Sequence, residues 1–143
     1  MVSKTDGIIC GFIVPDTKNK KDSLRLFSID PNSDYNKTKT IKIYEYEASL
    51  EYGQYQRRWI ELMTVDKERF MYCVQNEKNQ IYCGVAQIQE GLFIEKLYEP
   101  IMIIQLSSNQ YNFYPYCSKL IINDNELAIG CKLPYKDLFT IKK

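Results

Sequence analysis

Oxygen-bearing side chains alternate along residues 28–37, in the stretch SIDPNSDYNK. This is the spacing with which a loop wraps oxygen ligands around calcium, and the side chains concerned are Asp30, Asn32, Asp34 and Asn36. A twelve-residue calcium loop counted from Asp30 also needs glycine at its sixth position and glutamate at its twelfth. This chain has Tyr35 and Ile41 there. Because Pro31 and its Asx neighbours are equally typical of a turn, we interpret the stretch as a connecting turn and predict no metal site.

Catalytic chemistry is restricted by the complete lack of histidine. Ser-His-Asp and Cys-His catalysis and histidine-ligated zinc or haem are therefore excluded. The sequence also has no Cys-x-x-Cys pair and no glycine-rich phosphate loop. Paired carboxylates could still hydrolyse glycosides, with Glu45 and Glu47 on one strand face or Glu95 opposite another acid. We interpret these acids as solvated strand residues, so the sequence predicts a non-enzymatic protein without a cofactor.

The segment NQYNFYPYCS, residues 109–118, concentrates aromatic side chains around Pro115. Proline cannot donate a hydrogen bond to a β-ladder, so this segment belongs at a sheet edge or in a loop. Aromatic side chains there lose little rotamer freedom on binding and make efficient contact residues. An alternative is that they cover one end of the fold. We predict that four of them bind a partner, namely Tyr111, Phe113, Tyr114 and Tyr116.

Short apolar runs rich in Ile, Tyr, Phe and Val recur between polar or turn-forming clusters, which is a β signature. The candidate strands are 7–14, 24–29, 40–47, 58–65, 69–75, 80–88, 92–97, 101–107, 119–123, 126–133 and 138–142. Two hairpins stand out, one joining 69–75 to 80–88 and one turning at Asp124 and Asn125. Residues 15–23 and 30–40 are predicted to be polar loops. A helix over 48–63 is the one alternative, because Tyr52, Tyr55 and Trp59 recur at helical spacing, although Gly53 weakens it.

The sequence therefore predicts a single all-β domain over residues 1–143. We expect an antiparallel sandwich or small barrel of about eight to eleven short strands with little helix, because hairpin spacing occurs without βαβ alternation.

The net charge and the cysteines limit the binding partners and the cellular compartment that we expect for this protein. With 19 basic and 18 acidic residues, the net charge is +1, which does not favour nucleic acid or an anionic membrane. The apolar stretch before Pro15 is too short to span a membrane, so no membrane insertion is predicted. The five cysteines are odd in number and lie mostly inside apolar runs, where buried free thiols are common, so we predict five free thiols and an intracellular, cytoplasmic protein. Cys73 lies opposite Cys83 only in one of two hairpin registers.

These observations favour a non-enzymatic protein-binding or assembly module whose partner is another protein or a second copy. Two alternatives stay open. The first is a small-ligand or lipid-binding β-barrel, since the sequence does not show whether a barrel interior is filled. The second is an OB-like binder of single-stranded nucleic acid that combines strand tyrosines with a basic groove. The lysines of that groove would be Lys18, Lys20, Lys21, Lys37 and Lys39.

Overall fold

In the computed structural model, every regular element of the described residues is a β-strand and none is a helix. The structure describes residues 2–4, 7–16, 18–29, 39–47, 59–76, 80–89, 93–105, 116–123, 126–133 and 136–142. The strands in chain order are β1 (Val2–Lys4), β2 (Gly7–Asp16), β3 (Lys21–Ile29), β4 (Lys39–Glu47), β5 (Ile60–Thr64), β6 (Arg69–Gln75), β7 (Gln80–Ile88), β8 (Ile94–Lys96), β9 (Ile101–Gln105), β10 (Tyr116–Asn123), β11 (Glu126–Leu133) and β12 (Lys136–Lys142).

The predicted fold class is confirmed: the described part is all-β, antiparallel and sandwich-like, without a closed barrel. The candidate runs 69–75, 80–88 and 126–133 match β6, β7 and β11 at both ends. Residues 60–63 lie in β5 rather than in a helix, and residues 48–58 lie outside the described residues.

The described strands form three sheets, each built from a contiguous stretch of chain. We call β1–β4 the N-terminal sheet, β5–β9 the central sheet and β10–β12 the C-terminal sheet. Successive strands pair antiparallel in each sheet, except that β8 and β9 share one edge of β7. There β8 pairs with 86–88 and β9 with 80–83, so two short strands cover that edge in tandem.

The central sheet packs on both of its faces. Successive side chains of a strand point to opposite faces, and in β6 this separates Phe70, Tyr72 and Val74 from Met71 and Cys73. The first three pack in one hydrophobic cluster with the N-terminal sheet, and the other two pack in a second cluster with the C-terminal sheet. A strand covered on both faces reads as a continuous apolar run, which explains the sequence FMYCV.

Four of the five cysteines form disulfides, Cys73–Cys83 and Cys117–Cys131, while Cys10 is free. This corrects the prediction of five free thiols. The physical reason is register, because each pair stands directly opposite across a hairpin. In the β10–β11 hairpin the pairing shifts by one residue at a bulge between Ile121 and Asn123. Without that bulge, Cys117 would face Lys132 instead of Cys131.

Two polar segments of the sequence differ in outcome. Residues 15–23 are not a long loop: Pro15 and Asp16 end β2, Lys21 begins β3, and only a tight turn separates the two strands. Of the second predicted loop, 30–40, residues 39 and 40 belong to β4 instead, and residues 30–38 with the predicted turn lie outside the described residues.

Candidate functional site

Three of the four predicted contact residues lie outside the residues that the structure describes. Tyr111, Phe113 and Tyr114 fall outside the described residues, and Tyr116 is the first residue of β10, paired with Lys132 in register. Their role in binding a partner therefore stays a prediction. The strand into which this segment leads is described, and its far end is exposed.

An apolar patch lies at the end of β10. Leu120 is 67% exposed, and the adjacent Ile121 and Ile122 are also exposed. We call these three residues the β10 patch. Among the described strands, β10 pairs only with β11 and forms the edge of the C-terminal sheet. Leu120 and Ile121 are adjacent in the regular part of the ladder, so their side chains point to opposite faces, and both faces of the hairpin are exposed at this end. Edge strands present unpaired backbone groups as well as side chains, so this edge can accept another strand.

A second surface feature is a polar cleft of about 480 Å³ on the N-terminal sheet. It lies beside the β2–β3 turn and the adjoining end of β4. Its charged lining has four basic and three acidic side chains, which are Lys18, Lys21, Arg25, Lys42, Asp16, Asp22 and Glu45. Val14, Pro15 and Ser23 complete the lining.

The β2–β3 turn that borders the cleft is held by Asp16. Its Oδ1 accepts hydrogen bonds from the backbone N–H groups of Lys18 and Asn19, at 3.0 and 3.1 Å. The Asn19 side-chain amide donates to Oδ2 at 2.8 Å, and this bond, with the backbone donors, lowers the pKa of Asp16. The turn ends at Lys20, whose backbone is left-handed with φ 56°. Asp16 therefore caps the turn, and both of its carboxylate oxygens already accept hydrogen bonds from turn residues.

A bulge in β4 brings Lys42 into the cleft. The pairing with β3 changes from Leu24 opposite Tyr44 to Arg25 opposite Lys42, which leaves Ile43 as the extra residue. Ile43 is buried and Tyr44 packs against the same hydrophobic cluster, so two successive side chains point inward. Lys42 and Glu45 then face outward on either side of the bulge and line the cleft.

Glu45 is shared between two lysines. Its Oε2 lies 2.7 Å from Lys42 Nζ and its Oε1 lies 3.3 Å from Lys21 Nζ. The hydrogen bonds from Lys42 and then Lys21 lower the pKa of Glu45. A general acid of a glycosidase needs a raised pKa, so Glu45 is unsuited to that role. The other two candidate acids are Glu47, which is the last residue of β4, and Glu95, which is exposed and hydrogen-bonded to Gln89.

Comparison with known protein families, curated proteins and solved structures finds no match to this chain.

Three tyrosines meet between the N-terminal and central sheets. The rings of Tyr44 and Tyr82 are 5.3 Å apart, and Tyr72 is fully buried above Gly84. Burial raises the pKa of Tyr44 to about 12, and burial with the nearby charge of Glu99 raises that of Tyr72. The phenols of Tyr44 and Tyr72 therefore stay protonated at neutral pH.

One carboxylate links the central and C-terminal sheets. Glu61 in β5 is half-buried and accepts a hydrogen bond from the Cys117 backbone N–H at 3.1 Å. Burial raises the pKa of Glu61, and this hydrogen bond partly opposes the shift. The residue is placed to orient the start of β10 next to the Cys117–Cys131 disulfide.

The sequence pointed to only part of these two surfaces. Lys18, Lys20 and Lys21 of the predicted basic groove lie at or beside the β2–β3 turn, Lys39 begins β4, and Lys37 lies outside the described residues. Arg25 and Ser23 were missed, because only the register of β3 places them in the cleft. The β10 patch was missed as a surface, because three successive apolar residues usually indicate a buried strand.

Two negative observations apply to the described part of the chain. No helix there is long and apolar enough to cross a membrane. Nor do three or more Cys, Asp or Glu side chains cluster there in a way that could hold a metal ion.

Proposed function

We propose that this protein is a protein-binding or assembly module whose contact surface includes the β10 patch. The observation that supports this most directly is the run of three exposed apolar side chains, Leu120, Ile121 and Ile122, on an edge strand. Exposed apolar patches of this kind tend to mark interaction sites. The aromatic segment predicted to bind a partner leads directly into the same strand.

The partner that suits this edge is an extended segment of another polypeptide. A strand added alongside β10 would satisfy backbone donors and acceptors at the edge while covering the patch. Burying one large apolar side chain contributes roughly 1.5–3 kcal/mol, whereas an exposed ion pair contributes about 0–1 kcal/mol. The apolar residues would therefore dominate this contact, and nearby charges would mainly set its register.

The cysteines bear on where the module works. The intracellular, cytoplasmic location expected from the sequence depended on free thiols. Two disulfides in a small domain are typical of an oxidising compartment, such as the extracellular space, the secretory pathway or the bacterial periplasm. We therefore favour an oxidising compartment over the cytoplasm.

A charge placed on the patch tests the proposed contact. Leu120→Lys should weaken association by about tenfold or more, because it puts a strongly hydrated ammonium where apolar contact is needed. Tyr98→Lys is the matched control, since Tyr98 is 70% exposed but lies on the central sheet between β8 and β9. Self-association is measured by sedimentation velocity, and other partners by cross-linking to the wild-type chain followed by quantitative mass spectrometry.

A partner or dimer lost with Leu120→Lys and kept with Tyr98→Lys supports the proposal. Tyr114→Ala in the same assays tests the predicted aromatic contact, with an expected loss of about 2 kcal/mol in association if it is an anchor. A monomeric chain with no cross-linked partner that depends on Leu120 would overturn the assignment.

A further inference from the structure

Arg25 lies in the cleft of the N-terminal sheet with an unusual set of neighbours. Its register partner on β2 is Phe12, and its register partner on β4 is Lys42. Residues directly opposite across a ladder share a face of the sheet, so two positive charges stand side by side. Like charges in this position are destabilising. Glu45 already pairs with Lys42, which leaves the Arg25 guanidinium as the positive charge to be offset.

The acids of the cleft do not fully offset that charge. Glu45 is engaged by Lys42 and Lys21, and Asp16 caps the turn through hydrogen bonds with Lys18 N–H and Asn19. Asp22 is buried, and it has interactions of its own. Within the described residues, the buried Nε–H of Arg25 has no hydrogen-bond acceptor. A buried donor without an acceptor costs about 1–3 kcal/mol, and more when the group is charged.

The geometry points to an anion-binding site, independent of the β10 patch. We propose that the cleft binds a small hydrophilic molecule through its phosphate, sulfate or carboxylate group, held by the Arg25 guanidinium with Lys18 and Ser23 beside it. A guanidinium presents donors in a planar fork that suits such oxyanions.

The size and lining of the cleft agree with this class of ligand. A volume of about 480 Å³ lies within the range of about 300–1,000 Å³ that is usual for small-molecule sites. The lining is mostly charged or hydroxylated, so a polar ligand body suits it better than an acyl chain. Ser23 Oγ donates only a long 3.5 Å bond to the Val14 carbonyl, and its hydroxyl can turn toward a ligand at little cost.

Nuclear magnetic resonance can observe the proposed contact directly. The Arg25 Nε–H signal is followed in ¹H–¹⁵N spectra while sodium phosphate, sodium sulfate or sodium acetate is added, with total ionic strength held constant by sodium chloride. We expect a saturable shift of this signal and of the Ser23 amide with at least one anion. Comparison of the three titrations identifies which oxyanion the site prefers.

Variants separate a specific site from general attraction to positive charge. Arg25→Gln should weaken binding by about tenfold or more, while Arg25→Lys should keep part of it, because the charge remains but the fork is lost. Lys67→Gln is the matched control, since it removes one charge from the exposed 66–68 turn far from the cleft in sequence. Leu120→Lys should leave anion binding unchanged, which keeps this test separate from that of the proposed function.

The proposal is overturned if no anion produces a saturable shift at tens of millimolar, or if Arg25→Gln and Lys67→Gln weaken binding equally. Circular dichroism and melting temperature show whether each variant retains the fold. If Arg25→Gln were to unfold the chain, the titration of the wild-type Nε–H signal and the Arg25→Lys variant would still decide the question.

Discussion

The two faces of the central sheet are covered by different means. Toward the N-terminal sheet, the buried cluster consists only of aliphatic and aromatic residues, with Phe70 and Tyr72 packed against Leu24 and Leu26. Toward the C-terminal sheet, the buried cluster includes both disulfides. One buried cluster therefore consists of apolar side chains without a cross-link, and the other contains two disulfides, each of which joins neighbouring strands of a single sheet.

The two sheets that cover these faces also differ in the number and length of their strands. The N-terminal sheet has four strands, three of which have nine or ten residues, whereas the C-terminal sheet has three strands of seven or eight. Hydrophobic stabilisation scales with the apolar area removed from water, at roughly 25 cal/mol per Å². A smaller sheet buries less, and a disulfide offsets this by restricting the unfolded chain. The comparison predicts that the C-terminal sheet is the redox-sensitive part.

The largest effect is expected in the apolar interface. Phe70→Ala should lower the free energy of unfolding by about 3–5 kcal/mol, because Phe70 is fully buried and its truncation leaves a cavity. Thr64→Ala is the control, since Thr64 is exposed and pairs with Phe70 in register, and it should change stability by less than about 0.5 kcal/mol. Urea denaturation of both variants measures this. Equal effects would show that Phe70 is not a core residue.

Removal of the Cys117–Cys131 disulfide should have the next largest effect on stability. The effect should be confined to the C-terminal sheet. Cys117→Ala combined with Cys131→Ala opens a loop with a sequence separation of 14, which should cost about 3 kcal/mol. Native-state hydrogen exchange should accelerate in β10–β12 and stay nearly unchanged in β2–β4.

Thiol counting checks the premise of that experiment. The denatured, unreduced protein should contain one reactive thiol, from Cys10. Five reactive thiols would restore the sequence-based prediction and with it an intracellular compartment. In the hydrogen-exchange experiment on the Cys117→Ala/Cys131→Ala variant, uniform acceleration of exchange across all sheets would contradict the proposed contrast between the two interfaces.

Two glycines provide the smallest and most selective comparison. A Cβ added at Gly84 would come as close as 2.5 Å to Tyr72 Cζ, whereas one at Gly130 would meet nothing within 4 Å. Gly84→Ala should therefore destabilise the protein by about 1–3 kcal/mol through overpacking. Gly130→Ala should be neutral within about 0.5 kcal/mol. Melting temperatures measured in parallel decide between them, and a neutral Gly84→Ala would mean that Tyr72 can move aside.

Most of the fold could be predicted from the sequence, because β-branched and aromatic runs separated by turn residues carry a strong local signal. Eleven of the twelve strands in the described residues correspond to such runs, and the exception, Val2–Lys4, is too short to show a period. Cys73 opposite Cys83 was one of two registers open from the sequence, but the Cys117–Cys131 pairing could not be predicted, because Cys117 meets Cys131 only through the bulge at Ile122. Bulges have weak sequence signals, yet each one changes every pairing beyond it.

The candidate sites depend on the same kind of information. Lys18 and Lys21 could be recognised as part of a basic stretch, but the meeting of Arg25 with Lys42 requires the β4 bulge at Ile43. The exposure of Leu120 depends on how far the β10–β11 hairpin extends beyond its neighbours, which no local pattern encodes. Residue types were therefore visible in the sequence, while their grouping followed from register and layer packing.

Because each sheet is made from one contiguous stretch of chain, the order of folding can follow the order of synthesis. Strand pairing within a sheet closes only short loops, which favours rapid formation of hairpins. A nascent chain could complete β2–β4 before β6 leaves the ribosome, and the β6–β7 hairpin could then dock onto a preformed face. The C-terminal sheet would arrive last. Until it docks, Met71 and the Cys73–Cys83 pair would remain exposed to solvent, so this face of the central sheet would be the last to be buried.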